Sequence, residues 1–277
     1  MTTQLVLPQT ALPNTNERLP GVFLAACRSE WTKLRTVRST MWALVFTVIS
    51  IIGLGVLLSA IVVGHWDHRS LSEITGFDPL LYSFAGLNVA QLSVGVLGVL
   101  VMTSEYATGV IRLTFGATPQ RRLLLGAKVL TFSIVVAIVS LISCVTVFFI
   151  CQAMLASKPA GVSITDPGVL RAVLGGATKM VLIGVIAVGV GAIVRHTAGA
   201  VAVLFAVLLI IPGLVQLLPQ PWNNDVTLYL PSSAGAAMSA VVRFPNLLAP
   251  GPGFLVLLAY AAATIGLAMA LLVRRDA

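Results

Sequence analysis

The sequence predicts an all-α integral membrane protein with six transmembrane helices. Three observations predict it: an apolar surplus that no soluble fold can hide, uncharged runs of bilayer length, and positive charge gathered on alternate loops. Hydrophobic residues make up 58% of the chain and charged residues only 9%, against about 45–50% and about 25% in an ordinary soluble domain. Much of a soluble domain's surface must be polar, so the bilayer is the solvent that accommodates this composition.

A helix needs about 20 apolar residues to cross a hydrocarbon core roughly 30 Å thick. Five uncharged runs meet that length: Met41–Val63, Leu80–Ser104, Val129–Ser157, Thr197–Leu218 and Phe254–Val273. The third is long enough to tilt or to extend beyond the bilayer. In the fifth, Pro212 should kink the helix, because it lacks the N–H and crowds the preceding turn. The remaining span is less clean. The uncharged stretch Met180–Val194 covers about 22 Å at 1.5 Å per residue, so the span is placed at Leu174–Val194. That takes in Lys179, whose stem is expected to snorkel to the outer headgroups.

Charge fixes the orientation. With six spans the termini and alternate loops share one side, which carries twelve cations and four acids, against five of each opposite. The positive-inside rule makes the first side cytoplasmic, with both termini there, and the whole net charge of +8 faces anionic lipid heads. The basic balance therefore reports topology and does not argue for nucleic acid. Residues 1–19 lack a basic start and a sustained apolar run, so they read as a disordered cytoplasmic tail and not a signal peptide. Residues 20–277 read as one membrane domain. Cys27, Cys144 and Cys151 form no C-x-x-C pair and indicate neither a disulfide framework nor a zinc site.

Residues 20–40 are read as an amphipathic helix at the cytoplasmic interface. Pro20 suits the first helical position. At 100° per residue Phe23, Cys27, Leu34, Val37 and Met41 share one face, with Arg28, Arg35, Arg38 and Trp31 on another, a pattern that fits a membrane surface. Glu30 is the odd residue, lying on the apolar stripe. Lys33 at i+3 is its nearest local partner, and a partner protein is the other reading. The long cytoplasmic loop Ser104–Lys128 carries Glu105, Arg112, Arg121, Arg122 and Lys128, interrupted by Gly109, Gly116 and Pro119. It is either a docking surface for a soluble partner or a charged connector.

Directly after the second span, Glu105-Tyr106-Ala107-Thr108-Gly109-Val110-Ile111-Arg112 resembles the E-Y-x-x-G-[TV]-[IL] pattern of ABC-2 type transporter permeases. Ser29-Glu30-Trp31-Thr32-Lys33-Leu34-Arg35 with Arg38-Ser39-Thr40 is similar to the N-terminal interfacial helix of actinobacterial members. Tyr229-Leu230-Pro231-Ser232-Ser233-Ala234-Gly235 resembles a segment before their last span, and Arg121-Arg122, six residues before Lys128, also fits. The resemblance implies a six-span permease half that pairs with a second copy or a homologous permease. A separate ATP-binding subunit, holding ATP and magnesium, would drive it from the cytoplasmic face. It further implies coupling through Glu30, Lys33, Glu105, Gly109, Arg112, Arg121 and Arg122. The chain has no G-x-x-x-x-G-K-[ST] loop to cradle phosphates, so no cofactor is expected on it and ATP hydrolysis is expected on the partner.

The spans contain no Asp or Glu, the groups that carry protons or sodium in ion-coupled transporters. Asn88, Gln91, Gly95, Gly98 and Met102 fall on one face of the second span. They suit either a translocation path or a tight packing face closed by an interhelical hydrogen bond. Ala177, Gly184, Ala187 and Gly191 form a small-residue seam on the fourth, most simply for close packing. Residues Pro219–Gly253 are expected outside, with a short helix at Ser232–Val242. His65-Trp66-Asp67-His68 offers too few ligands to specify a metal, and a solvated loop with an interfacial tryptophan is expected there.

The leading function is thus a permease subunit exporting a hydrophobic or amphipathic solute across a bacterial plasma membrane. A lipid-modifying membrane enzyme is an alternative, although its usual cluster of carboxylates or histidines is missing from the cytoplasmic segments. A non-transport anchor or signalling partner for an ATPase is another.

Overall fold

The computed structural model of the chain describes residues 19–68, 77–109, 121–242 and 244–274. The expected tail, apart from Leu19, lies outside these residues, and so does Arg112. Among the described residues every regular element is helical. Six helices are long and apolar enough to cross a membrane: Arg38–Gly64 (α2), Leu87–Ala107 (α4), the helix Arg121–Leu155 (α5), Val169–Val194 (α6), Thr197–Val215 (α7) and Pro250–Arg274 (α10). Four further α-helices among the described residues are Leu19–Thr36 (α1), Pro79–Ser83 (α3), Trp222–Tyr229 (α8) and Pro231–Ser239 (α9).

The spans occur where the apolar runs place them, but several ends differ. The second run is two helices. Asp78 caps α3 by accepting from the Leu80 N–H at 2.9 Å, with Pro79 in the first turn, an arrangement that satisfies one orphan donor and wastes none on proline. The chain then turns through Phe84–Gly86 before α4. A Cβ on Gly86 would stand 2.2 Å from the Ser50 carbonyl oxygen, so only glycine lets this turn lie against α2. In the fourth span, α6 begins at Val169, five residues before the expected Leu174.

Pro212 acts on α7 as a widening. Residues Ala206–Ile210 form a π-turn just ahead of it, the local rearrangement that commonly accommodates a disrupted helical ladder. The interfacial segment ends earlier than residue 40. Val37 is extended (φ −78°, ψ 117°) and Arg38–Thr40 already belong to α2. Helix α9 starts one residue before the expected Ser232 and stops at Ser239.

At the centre lies α6, which packs on α4, α5, α9 and α10. Small residues allow the approach. A Cβ on Gly98 of α4 would come within 2.7 Å of the Gly184 carbonyl oxygen, and one on Gly184 within 2.6 Å of Phe132 of α5. Ala177, Gly184, Ala187 and Gly191 are all buried, so the seam expected on this span is a packing seam. Buried Ile51, Leu87, Val94, Phe132, Val147 and Met180 join α2, α4, α5 and α6 into one core, and Leu204, Leu257 and Ala261 bring in α7 and α10. Outward, Trp42, Ile49, Leu217 and Leu255 are 72%, 62%, 81% and 61% exposed. Apolar residues presented this way along several helices suit hydrocarbon, not water.

One face of α1 covers α5. Phe23 and Cys27 are partly buried, and Glu30 and Leu34 are buried, whereas Val37 and Met41 are exposed. The sequence stripe is therefore split, its first part packed on protein. Trp66 also departs from expectation. It is 5% exposed, edge-on to Phe77 at 5.2 Å between ring centroids, and sits beside Val62 and Leu155.

Candidate functional site

Four ionisable side chains meet where α1, the end of α4 and the start of α5 converge. Glu30 and Lys33 are one turn apart on α1. Glu105 lies in the last turn of α4, which stops at Thr108 with Gly109 in the left-handed region at φ +69°, a conformation glycine adopts without strain. Lys128 lies two turns into α5, because that helix begins at Arg121 and not after the loop. Both Arg121 and Arg122 accordingly sit on the first turn of α5, with Arg122 exposed. Gly116 and Pro119 lie outside the described residues.

The four groups close a ring. Lys33 Nζ donates to Glu30 Oε1 at 2.8 Å and to Glu105 Oε1 at 2.7 Å. Lys128 Nζ donates to Glu30 Oε2 at 2.8 Å and to Glu105 Oε1 at 2.5 Å. Two carboxylates face two ammonium groups, so the ring is neutral overall. Glu30, Glu105 and Lys128 are 3%, 7% and 1% exposed. Such charges leave water only because each is paired and hydrogen-bonded. The side chain of Lys33 keeps 40% of its exposure and is the member that faces out. Burial works against its charge, but its hydrogen bonds to Glu105 and Glu30 outweigh that and raise its pKa above the ordinary lysine value.

Glu105 Oε2 is buried with no hydrogen-bond partner among the described residues. A cleft of about 310 Å³ opens beside the ring, lined by Leu34, Val37, Thr40, Leu97 and Ser104 among others. At the same end, Arg195 turns the chain from α6 into α7 at φ +59°, with its guanidinium 5.2 Å from the Tyr106 ring centroid.

Of the residues singled out in the sequence, the structure thus gathers Glu30, Lys33 and Glu105. Gly109 ends the helix that carries Glu105. Lys128 is the member the sequence reading passed over, counted there only as a loop cation. The one local signal was Glu30, an acid on an apolar stripe, which demands a buried cation from elsewhere in the chain.

The candidate path on α4 is placed differently. Gly95 and Gly98 are taken up by packing against Leu204 and against Gly184, and Gln91 is 4% exposed with its Oε1 lacking a partner among the described residues. Asn88 is exposed, and its Oδ1 accepts from Lys179 Nζ at 3.1 Å. Lys179 does not extend to the surface. It is 1% exposed, about 15 Å along α6 from Val169 by helical rise. Helix α9 lies over it: a Cβ on Gly235 would meet the Lys179 Cγ at 2.8 Å. Asn88 supplies the oxygen that a snorkelling stem would otherwise have sought.

In the turn after α2, His65 Nδ1 bonds the Ile61 carbonyl oxygen at 2.9 Å. Asp67 accepts from Lys158 at 2.8 Å, a bond that lowers its pKa. Among the described residues no three of His, Cys, Asp or Glu gather as metal ligands would. No protein-family model matches the chain, and no curated protein matches it either.

Proposed function

We propose that this chain is the membrane-spanning permease subunit of an ABC-2 type transporter, an exporter of a hydrophobic or amphipathic solute. The ATP would be hydrolysed with magnesium on a separate subunit at the cytoplasmic face, and a second permease copy or a homologue would complete the pathway. One observation carries this reading. The three segments that resemble the family's coupling surface, around Glu30-Lys33, Glu105-Gly109 and Arg121-Arg122, converge at one end of the bundle, where Glu30, Lys33 and Glu105 share a ring with Lys128. A push on α1 or on the loop after α4 would pass directly into α4 and α5 through these bonds. In this reading α1 is amphipathic at the interface, both termini are cytoplasmic, and Arg112 and Arg122 meet the ATPase. Asn88 and Gln91 are the polar part of the path, and membrane lipids, not nucleic acid, surround the chain.

Co-reconstitution tests the coupling. Vesicles holding this chain and the ATP-binding subunit should hydrolyse ATP faster than that subunit alone, and Lys33→Ala or Arg112→Ala should remove most of the stimulation. Unchanged stimulation in both variants would overturn the coupling role. A hydrolysis rate indifferent to the chain would favour an anchor.

A further inference from the structure

At the end of the bundle away from the ion-pair ring, two hollows meet beside α6, α9 and α10. One, of about 360 Å³, is lined by Arg171, the segment Ala240–Val242, Phe244 and Leu247–Gly251. The other is an open apolar groove of about 560 Å³ between Leu170, Leu174 and Thr178 of α6, Met238 of α9 and Phe254 of α10. Arg171, Pro250 and Gly251 line both. Each volume is within the range of small-molecule sites.

The groove has a direction. Leu170, Leu174 and Thr178 lie on one side of α6 at successive turns and span about 12 Å along its axis. Leu170, Leu174 and Phe254 are 55%, 46% and 36% exposed, so the groove opens sideways from the bundle. Arg171 lies in the first turn of α6. Its Nη1 donates to the Met238 carbonyl at 3.3 Å and its Nη2 to the Ala240 carbonyl at 2.9 Å, which fixes the guanidinium at the mouth while leaving donors over, since the group carries five N–H bonds. The acid bonded to the same segment does not neutralise it from the cavity. Asp78 is 1% exposed and spends Oδ1 on Leu80 N–H and Oδ2 on the Val241 and Val242 N–H groups. The N-terminus of α10 opens into the first hollow and adds partial positive charge.

A positive mouth over an apolar slot that opens into hydrocarbon is complementary to one kind of molecule. We propose that this crevice holds an anionic phospholipid of the leaflet opposite the ion-pair ring, its phosphate on Arg171 and one acyl chain along Leu170, Leu174, Thr178 and Phe254. Arginine suits the head because its fork matches phosphate oxygens. The occupant does not depend on whether the chain is a transporter.

Native mass spectrometry tests it on the full chain released from bilayers of equimolar phosphatidylglycerol and phosphatidylcholine. The wild-type chain should retain lipid with phosphatidylglycerol preferred. R171Q, which keeps an amide donor for the Ala240 carbonyl, should lose that preference, and L174F combined with T178F should lose the retained lipid whatever its head. If R171Q does not fold, the slot-filling variant decides alone. Equal retention of the two lipids by the wild type, an undiminished preference in folded R171Q, or full retention in the slot-filling variant would overturn the proposal. So would a second copy of the chain found in place of lipid.

Discussion

Lys128 holds two buried carboxylates that have no other buried cation among their bonded partners. In Lys128→Met, Glu30 and Glu105 would share only Lys33. Stranding a buried charge costs about 3–5 kcal/mol, so this variant should melt well below wild type in detergent. Lys33→Ala should cost less, because its side chain is 40% exposed and water can take its place beside the carboxylates. Its melting point should fall less than that of Lys128→Met while coupling suffers, which makes it a cleaner probe than a substitution at buried Glu105. Because the Lys33 pKa is raised in the fold, its contribution is complete below the ordinary value of 10.5 and fades only as pH rises through the folded value. From neutral to about pH 9, wild type and Lys33→Ala should therefore differ in melting point by a constant amount. Half of this ring was legible in the sequence. Glu30 and Lys33 announce each other at i+3, but Lys128 is 98 residues from Glu30, and no local pattern reports a pairing made by tertiary packing. Lys179 was misplaced for the same reason, its partner Asn88 being 91 residues away.

Among the elements, apolar length located five of the six spans, and the sixth was placed only by extending the short stretch Met180–Val194 back through Lys179. Their ends were less legible. The break between α3 and α4 depends on Asp78 and Gly86, whose meaning comes from contacts with Val241 and with Ser50. The start of α6 lay hidden because Arg171 interrupts an apolar run, and burial of Lys179 under α9 could not be read from α6 alone. That last contact makes a prediction. Gly235→Leu would drive a side chain into the Lys179 stem, where even a Cβ comes within 2.8 Å of it. Overpacking of this kind costs about 1–3 kcal/mol. The variant should lose thermal stability, and a wild-type melting point would show that α9 does not seat there.

Across the whole molecule, the ion-pair ring and the crevice at Arg171 lie at opposite ends of a six-helix bundle, and the proposed topology puts the ring end in the cytoplasm. Single cysteines make this testable on a variant lacking Cys27, Cys144 and Cys151. Lys158→Cys should react with an impermeant maleimide on intact cells, and Arg122→Cys only after permeabilisation. The reverse pattern would invert the topology and remove the ring from the reach of a cytoplasmic ATPase. The most direct test of the permease reading is copurification. Expressed with its neighbouring genes and gently crosslinked, the chain should bring down a subunit bearing a G-x-x-x-x-G-K-[ST] loop, with crosslinks falling on α1 or on residues 105–122. Repeated recovery of the folded chain with no ATP-binding subunit attached would contradict the account.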